Sequence, residues 1–240
     1  MIKESILRIN TQIARVCSKI NKNPKEISIV AVSKGRNPQE IKEVILAGIT
    51  EIGENRVQEA VFKLDELTNQ HLPAGQAGIN ERRIKWHMVG HLQTNKVKEA
   101  VKIFDLIQSV DSLHLAAEID KQAAKINKIQ DILIEIKTST EATKLGLKPD
   151  EAIEVIKEIT GLKNINIKGL MTIAPLLSDP ENSRPYFRRL RELREKLFQY
   201  SVLSTPYSVL SMGMTEDFEV AIEEGSNMIR LGRAIFDNER

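Results

Sequence analysis

The chain opens with apolar residues that recur every three or four positions from residue 2 to residue 20. This spacing predicts an amphipathic helix. The next apolar run, 27–33, is short and rich in β-branched residues, which is typical of a strand buried on both faces. Asn37, Pro38 and Glu40 then provide an N-cap, a first-turn proline and a capping-box acid, so a second helix is predicted to begin at Pro38.

The alternation of short apolar runs with helical patterns continues to the end of the chain. Strands that alternate with helices pair in parallel through right-handed crossovers. Eight such units predict one α/β domain over residues 1–240, a single (β/α)8 TIM-type barrel with an extra N-terminal helix. The predicted strands lie near 27–33, 49–52, 84–89, 103–110, 132–136, 167–171, 207–210 and 227–231. Further helices are predicted at 56–67, 95–101, 112–126, 149–159, 182–199 and 215–224.

One segment interrupts this rhythm before the third strand. Residues 71–83 contain a proline, two glycines and little periodicity, which predicts an exposed loop. An inserted loop without a role of its own is favoured over a functional lid, because exposed loops tolerate insertions.

Composition restricts the partners of the protein. Of its 240 residues, 35 are basic and 33 are acidic, and they are interspersed, so neither nucleic acid nor a membrane is expected as a partner. No apolar stretch approaches the ~20 residues that cross a bilayer, and the N-terminus does not resemble a signal peptide. The single cysteine, Cys17, cannot form an intramolecular disulfide. We therefore expect a cytoplasmic protein.

Two loops near the end of the chain have the composition of an anion site. In parallel barrels, phosphate is often held by the loops after strands seven and eight. The first of these loops contains Ser211, Gly213 and Thr215, with Thr215 predicted as the N-cap of the next helix, and the second contains Gly232. Free backbone N–H groups and hydroxyls in such loops bind anions, whereas the glycines alone would serve only tight turns. Both interpretations stay open at this point.

Lys34 directly follows the first predicted strand, so its amine is expected at the mouth of the barrel. Partial burial there would favour the neutral amine that attacks an aldehyde, whereas a solvated lysine would have no such role. Asn55 follows the second strand and His87 lies in the third. Both could contact a bound ring, or both could be satisfied polar residues. The histidines lack metal-ligand spacing, and no metal site is predicted.

Arg230 lies within the last apolar run of the chain. A buried charge is costly unless it is paired. Its partner is therefore expected to be an interior carboxylate such as Glu135, or the ring nitrogen of a ligand.

Seven stretches, in order along nearly the whole chain, carry a resemblance to a known family. They are AVSKGRNPQEI, IGENRVQEA, WHMVGHLQTNK, TKLG, IKGLMTIAP, LSMGMTEDFEVAIEEGS and MIRLGRAIF. Together they resemble the pyridoxal phosphate homeostasis proteins, which are single-domain relatives of the alanine racemase N-terminal barrel. No single stretch is specific, but their combination and order are.

The resemblance implies that the chain binds pyridoxal 5'-phosphate as a Schiff base on Lys34. It also implies that the protein buffers and delivers this cofactor, without an established turnover of its own. We expect a monomer that makes at most transient contact with pyridoxal-phosphate-dependent enzymes. The other cofactor-binding residues that the resemblance implies are Asn55 and His87 beside the ring, Arg230 near the pyridine nitrogen, and Ser211, Thr215, Gly232 and Arg233 at the phosphate.

The chain departs from the family pattern at three residues. Gly35 stands where threonine is usual, Arg233 where threonine or serine is common, and Asp237 where glycine is common. Arg233 leaves open whether a side chain or only the backbone recognises the phosphate at that position. The segment 71–83 also lies outside the usual pattern.

Two other functions stay open. A pyridoxal-phosphate-dependent amino-acid racemase or decarboxylase would need a second acid–base group, which racemases of this barrel type take from an additional β domain of a partner subunit. The chain stops at Arg240, directly after its eighth unit, so that domain is expected to be absent. A Schiff-base aldolase that uses Lys34 or Lys168 would leave Arg230 and the ordered set of motifs unexplained.

Overall fold

The computed structural model describes residues 1–69, 84–139, 141, 145–199 and 209–237. The predicted loop at 71–83 lies outside the described residues, as do Thr143 and Lys144 of the TKLG stretch.

Eight parallel strands close into a barrel in which each strand pairs with the next one along the chain. The eighth strand pairs with the first, with Val30 opposite Arg230. This architecture confirms the predicted (β/α)8 barrel. The strands are β1 (Ser28–Val32), β2 (Glu51–Glu54), β3 (Lys85–Met88), β4 (Leu106–Val110), β5 (Gln130–Glu135), β6 (Ile165–Met171), β7 (Val209–Ser211) and β8 (Met228–Leu231).

Helices surround the barrel, and the predicted N-terminal helix is present. It is α1 (Ile2–Lys19), and it buries an apolar face against the helices that follow β1, β7 and β8. The predicted capping box of the second helix is confirmed, because Asn37 and Glu40 each accept a hydrogen bond at 2.9 Å from the other's backbone N–H group. The remaining helices are α2 (Pro38–Leu46), α3 (Val57–Asn69), α4 (Val97–Ile103), α5 (Leu113–Ala124), α6 (Pro149–Thr160), α7 (Arg184–Gln199), α8 (Phe218–Glu223) and α9 (Arg233–Phe236).

The interior of the barrel contains an apolar layer and a polar layer. Successive residues of a strand point to opposite faces, so inward positions recur every second residue. On β4, β7 and β8 an apolar inward residue is followed two positions later by a polar one, namely Gln108, Ser211 and Arg230. On these three strands the polar groups therefore lie nearer the carboxyl ends than the apolar residues do. The apolar layer consists of Val30, Val89, Leu106, Leu133, Met171 and Met228.

We predict that Gly169→Ala destabilises the barrel. A side-chain carbon at Gly169 would lie 2.0 Å from the carbonyl oxygen and 2.4 Å from the amide nitrogen of Val209 in the neighbouring strand. Because these are backbone atoms of β7, we expect a loss of ~2 kcal/mol or more in the free energy of unfolding, measured with urea. Gly161→Ala is the control, since Gly161 has a helical φ of −74° and its added carbon would meet only the Glu158 carbonyl, at 3.2 Å. Equal losses in the two variants would contradict the packing explanation.

Candidate functional site

A cavity of about 440 Å³ opens at the carboxyl ends of β1 and β8, a volume within the range of small-molecule sites. We call it the mouth cavity. One wall is apolar and comes mainly from the loop after β6, with Pro175, Leu176 and Leu177. Its charged lining comprises four cationic and two acidic side chains, so the cavity favours an anionic ligand. These side chains are Lys34, Arg36, Arg230, Arg233, Glu216 and Asp217.

Lys34 lies at the edge of the mouth cavity, as predicted, but its side chain is exposed rather than partly buried. Among the described residues its amine has no hydrogen-bond or ion-pair partner. The same side chain also lines an adjoining cavity of about 510 Å³, which lies over the ends of β2 and β3. A ligand in either cavity can therefore reach the amine.

Asn55 lines the adjoining cavity together with Lys34. It follows β2, and its backbone packs closely against the end of β3. A side-chain carbon added at Gly90 would lie only 2.5 Å from the Asn55 carbonyl oxygen. This close approach fixes the backbone of Asn55 relative to the neighbouring strand. The structure thus places Asn55 and Lys34 in the lining of one cavity.

Arg230 is buried in β8 and forms part of the floor of the mouth cavity. Its guanidinium donates to the hydroxyl oxygen of Ser211 at 2.6 Å and to the backbone carbonyl of Thr172 at 2.8 Å. Burial lowers the pKa of Arg230 to about 10, while the carboxylates of Glu135 and Asp217 oppose that shift. Arg230 therefore stays charged at neutral pH and is held by direct hydrogen bonds to neutral groups.

A directional chain of hydrogen bonds runs from Arg230 across the barrel interior. Arginine can only donate, so Ser211 accepts from Arg230 and gives its own proton to the side-chain carbonyl of Gln108, at 2.6 Å. The amide nitrogen of Gln108 must then donate to Nδ1 of His87, at 2.9 Å. His87 therefore accepts at Nδ1 and carries its proton on Nε2. Burial also lowers the pKa of His87 to about 4, which keeps the imidazole neutral.

This chain changes the roles expected for Ser211 and His87. Both side chains are buried in the barrel interior and are absent from the lining of the mouth cavity. The hydroxyl of Ser211 is already engaged by Arg230 and Gln108, so it affects the cavity through Arg230. Gln108 was not among the residues predicted from the sequence. Its only signal in the sequence is a polar residue at an inward position of an apolar strand.

The prediction that Thr215 caps the next helix was wrong. Helix α8 begins at Phe218, and its N-cap is Asp217. The reason is a turn over 214–217, in which the Asp217 carboxylate accepts from the backbone N–H group of Met214 at 2.7 Å. The hydroxyl of Thr215 instead accepts from the N–H group of Ala234, at 3.3 Å. Thr215 therefore links the loop after β7 to the first turn of α9, directly after β8.

The loop after β7 and the start of α9 present hydrogen-bond donors to the mouth cavity. Among the described residues, the backbone N–H groups of Thr215, Glu216 and Arg233 have no protein acceptor. Gly232 connects β8 to α9 and lies close to the end of β1. A side-chain carbon added there would lie 3.4 Å from the Val32 carbonyl oxygen. The Arg233 side chain is 61% exposed and forms an ion pair with Glu216, at 2.9 Å. The anion donors in these loops are thus mainly backbone groups.

Neither a metal centre nor a membrane span is found in the part of the chain that the structure describes. No three histidine, cysteine, aspartate or glutamate side chains there are grouped to hold a metal ion. No described helix combines the length and the apolar character that crossing a membrane requires.

Comparison with known proteins gives consistent matches over nearly the whole chain. The family described as "Alanine racemase, N-terminal domain" matches residues 7–238. The pyridoxal phosphate homeostasis protein of Aquifex aeolicus (strain VF5) is 39% identical over 237 residues, which cover 99% of this chain and 98% of that protein.

Two solved structures share the fold at similar identity. An unknown protein from Bifidobacterium adolescentis has a TM-score of 0.88 and 34% identity, covering 98% of this chain and 94% of that one. PipY of Synechococcus elongatus PCC7942, with PLP bound, has a TM-score of 0.78 and 33% identity, covering 94% of this chain and 99% of that one. The chain therefore belongs to the pyridoxal phosphate homeostasis protein family, within the larger family of alanine racemase N-terminal domains.

Proposed function

We propose that the chain binds pyridoxal 5'-phosphate as a Schiff base on Lys34 and takes part in cofactor homeostasis without robust catalysis. The observation that carries this proposal is an exposed amine beside a cation-lined cavity of about 440 Å³ that also presents backbone N–H groups, and neither the amine nor these groups have a partner among the described residues. The cofactor supplies an aldehyde, which condenses with an amine. It also supplies a phosphate group, which needs hydrogen-bond donors. The names of the relatives support the same ligand.

The lining of the mouth cavity provides a partner for each end of the ligand. We propose that the phosphate binds to the backbone N–H groups of Thr215, Glu216 and Arg233, next to Gly232. Such an arrangement of backbone donors is an established form of phosphate site. Arg230 is buried on the floor and keeps further N–H donors for the ring nitrogen.

The side chains outside the mouth cavity have supporting roles in this proposal. Asn55 lines the same cavity as Lys34, and we propose that it faces the edge of the ring. Ser211 and His87 act through the hydrogen-bond chain, because Ser211 anchors the guanidinium of Arg230 directly. The two residues thus keep the donor groups of Arg230 in a fixed direction.

The same geometry argues against rapid turnover. Fast chemistry on the cofactor needs a strong electron sink and well-placed acid and base groups. An arginine can only donate, so Arg230 at the ring nitrogen disfavours protonation of that nitrogen and weakens the sink. His87 is neutral and bonded to Gln108, and Glu216 is paired with Arg233, so neither is poised as a base.

We further propose that the protein works in the cytoplasm as a monomer and passes the cofactor to pyridoxal-phosphate-dependent enzymes through transient contacts. The exposed position of Lys34 at an open mouth supports exchange of the ligand. The name of the relatives, pyridoxal phosphate homeostasis protein, supports the same role for this chain.

The first test concerns the attachment of the cofactor. Lys34→Ala should abolish the adduct that borohydride traps, whereas Lys96→Ala should keep it, since Lys96 lines only the adjoining cavity. Because Lys34 is an exposed side chain without partners in the part of the chain that the structure describes, its removal should change the free energy of unfolding by no more than ~0.5 kcal/mol. Peptide mapping of the trapped wild-type protein checks the site. An adduct confined to another lysine would refute the assignment.

The second test concerns catalysis. We expect no racemisation or decarboxylation of a panel of L- and D-amino acids by the cofactor-loaded protein, because Arg230 at the ring nitrogen weakens the electron sink. Chiral chromatography and carbon dioxide release measure the two reactions. Turnover of about 1 per second or faster, an ordinary enzyme rate, would favour a true racemase or decarboxylase.

The third test concerns Arg233. Its side chain is largely exposed and paired with Glu216, so Arg233→Thr should change the affinity for the cofactor by at most ~1 kcal/mol. Glu216→Gln is the matched variant, because it releases the Arg233 side chain without removing it. Equilibrium titration of the two proteins provides the comparison. A hundredfold loss in Arg233→Thr, about 2.7 kcal/mol, would make this side chain a primary phosphate ligand.

A further inference from the structure

Lys63 of helix α3 is a buried lysine with no part in the site described so far. Only 3% of its surface is exposed, and its amine reaches the carboxyl ends of β1 and β2. There it donates to the backbone carbonyl of Ser33 and to the carboxylate of Glu54, both at 2.6 Å. Ser33 is the residue directly before Lys34. The buried amine of Lys63 thus contacts the backbone directly before Lys34, whose own amine is exposed.

Lys34 itself lies in a tight turn. The Ser33 carbonyl accepts from the backbone N–H group of Arg36 at 2.9 Å, which closes a four-residue turn with Lys34 and Gly35 at its centre. Gly35 has a φ of +69°, the conformation that the third position of a type II turn requires. Glycine adopts it without strain and a threonine rarely does. Gly35 therefore fits this turn better than the threonine that is usual in the family.

Both neighbours of Lys34 are held by side chains from α3 and β2. The hydroxyl of Ser33 donates to the Glu54 oxygen that also accepts from Lys63. On the other side, the N–H group of Gly35 donates to Glu59 of α3 at 3.3 Å, and that Glu59 oxygen lies 3.7 Å from the Lys63 amine. The turn is therefore fixed before and after Lys34.

We infer that Lys63 is a positioning residue for Lys34. Lys63 holds the Ser33 carbonyl and, together with Glu59, the turn that follows, and it thereby directs the amine of Lys34 toward the mouth cavity. The inference rests on the proposed function for the identity of the ligand. A lysine side chain has many rotamers, so a fixed backbone restricts where its amine can go. A displacement of about 1 Å in a reacting group can cost as much as 10²-fold in rate.

Loss of Lys63 would also affect stability, and the experiment must separate the two effects. Burial raises the pKa of Glu54, and Lys63 and Ser33 oppose that shift, so removal of Lys63 leaves a buried carboxylate without its counter-charge. Lys128→Met is the matched control. Lys128 is half-buried and donates to the backbone carbonyls of Val101 and Phe104, both at 2.8 Å. It comes just before β5, so it lies at the opposite end of the barrel from Lys63.

The experiment compares Lys63→Met, Lys63→Arg and Lys128→Met with the wild type by two measurements. The first is amide hydrogen exchange at Gly35 and Arg36 in protein without cofactor. The second is the rate at which added pyridoxal phosphate becomes trapped on Lys34 by borohydride. In Lys63→Met, both amides should exchange faster, and the rate of adduct formation should fall about tenfold or more, because the amine of Lys34 is no longer held toward the cavity. Lys128→Met should match the wild type, and Lys63→Arg, which keeps the charge and the donors, should lie nearer the wild type than Lys63→Met.

Glu59→Ala provides a second variant if Lys63→Met fails to fold, because the Glu59 side chain is 30% exposed. It should speed exchange at Gly35 and slow adduct formation. Wild-type values in either measurement for Lys63→Met, or for Glu59→Ala where Lys63→Met does not fold, would overturn the inference. The failure of the proposed function looks different, since the wild type itself would then form no adduct on Lys34, while amide exchange would still report on the turn.

Discussion

The parallel pairing of β1 with β8 joins the two ends of the sequence, and the mouth cavity exists only because of it. Val30 lies opposite Arg230, so the residues that follow each strand meet above the pair. Lys34 thereby comes to share a cavity with Arg230, Gly232 and Arg233. Helix α1 packs against α2, α8 and α9, so it covers the seam where the barrel closes. All eight strands run in the same direction, which directs their carboxyl ends to this one mouth.

Two buried cations shape the site in different ways. Arg230 is bonded directly to neutral groups, and because arginine cannot accept, its bond to Ser211 sets the direction of every hydrogen bond as far as His87. Lys63 instead has a direct carboxylate partner in Glu54 and a backbone carbonyl before Lys34. The first cation fixes the floor of the cavity, and the second fixes the turn at its edge. Between them Lys34 stays exposed, which suits a ligand that is taken up and released.

The three departures from the family pattern all lie around this mouth. Gly35 permits the turn with φ of +69°. Arg233 pairs with Glu216, and Asp237 pairs with Arg36, whose guanidinium lies 5.3 Å from the ring centroid of Phe236. Exposed pairs of this kind contribute little to stability, and charges near an entrance act mainly on the rate at which a charged ligand arrives. The departures therefore lie at the edge of the cavity and not on its floor.

The sequence by itself determined the elements and their order. Periodicity, the capping box at Asn37 and Glu40, and the position of Lys34 after a strand are local properties, and the structure agrees with each. The tertiary structure decided which partner each polar side chain has. It gave Thr215 a bond to Ala234 in place of a helix cap, linked Ser211 and His87 through Gln108, and left Lys34 exposed. It also brought Lys63 to the carbonyl before Lys34. These partners come from different strands and helices, and their contacts form only when the barrel closes, so no local pattern in the chain encodes them.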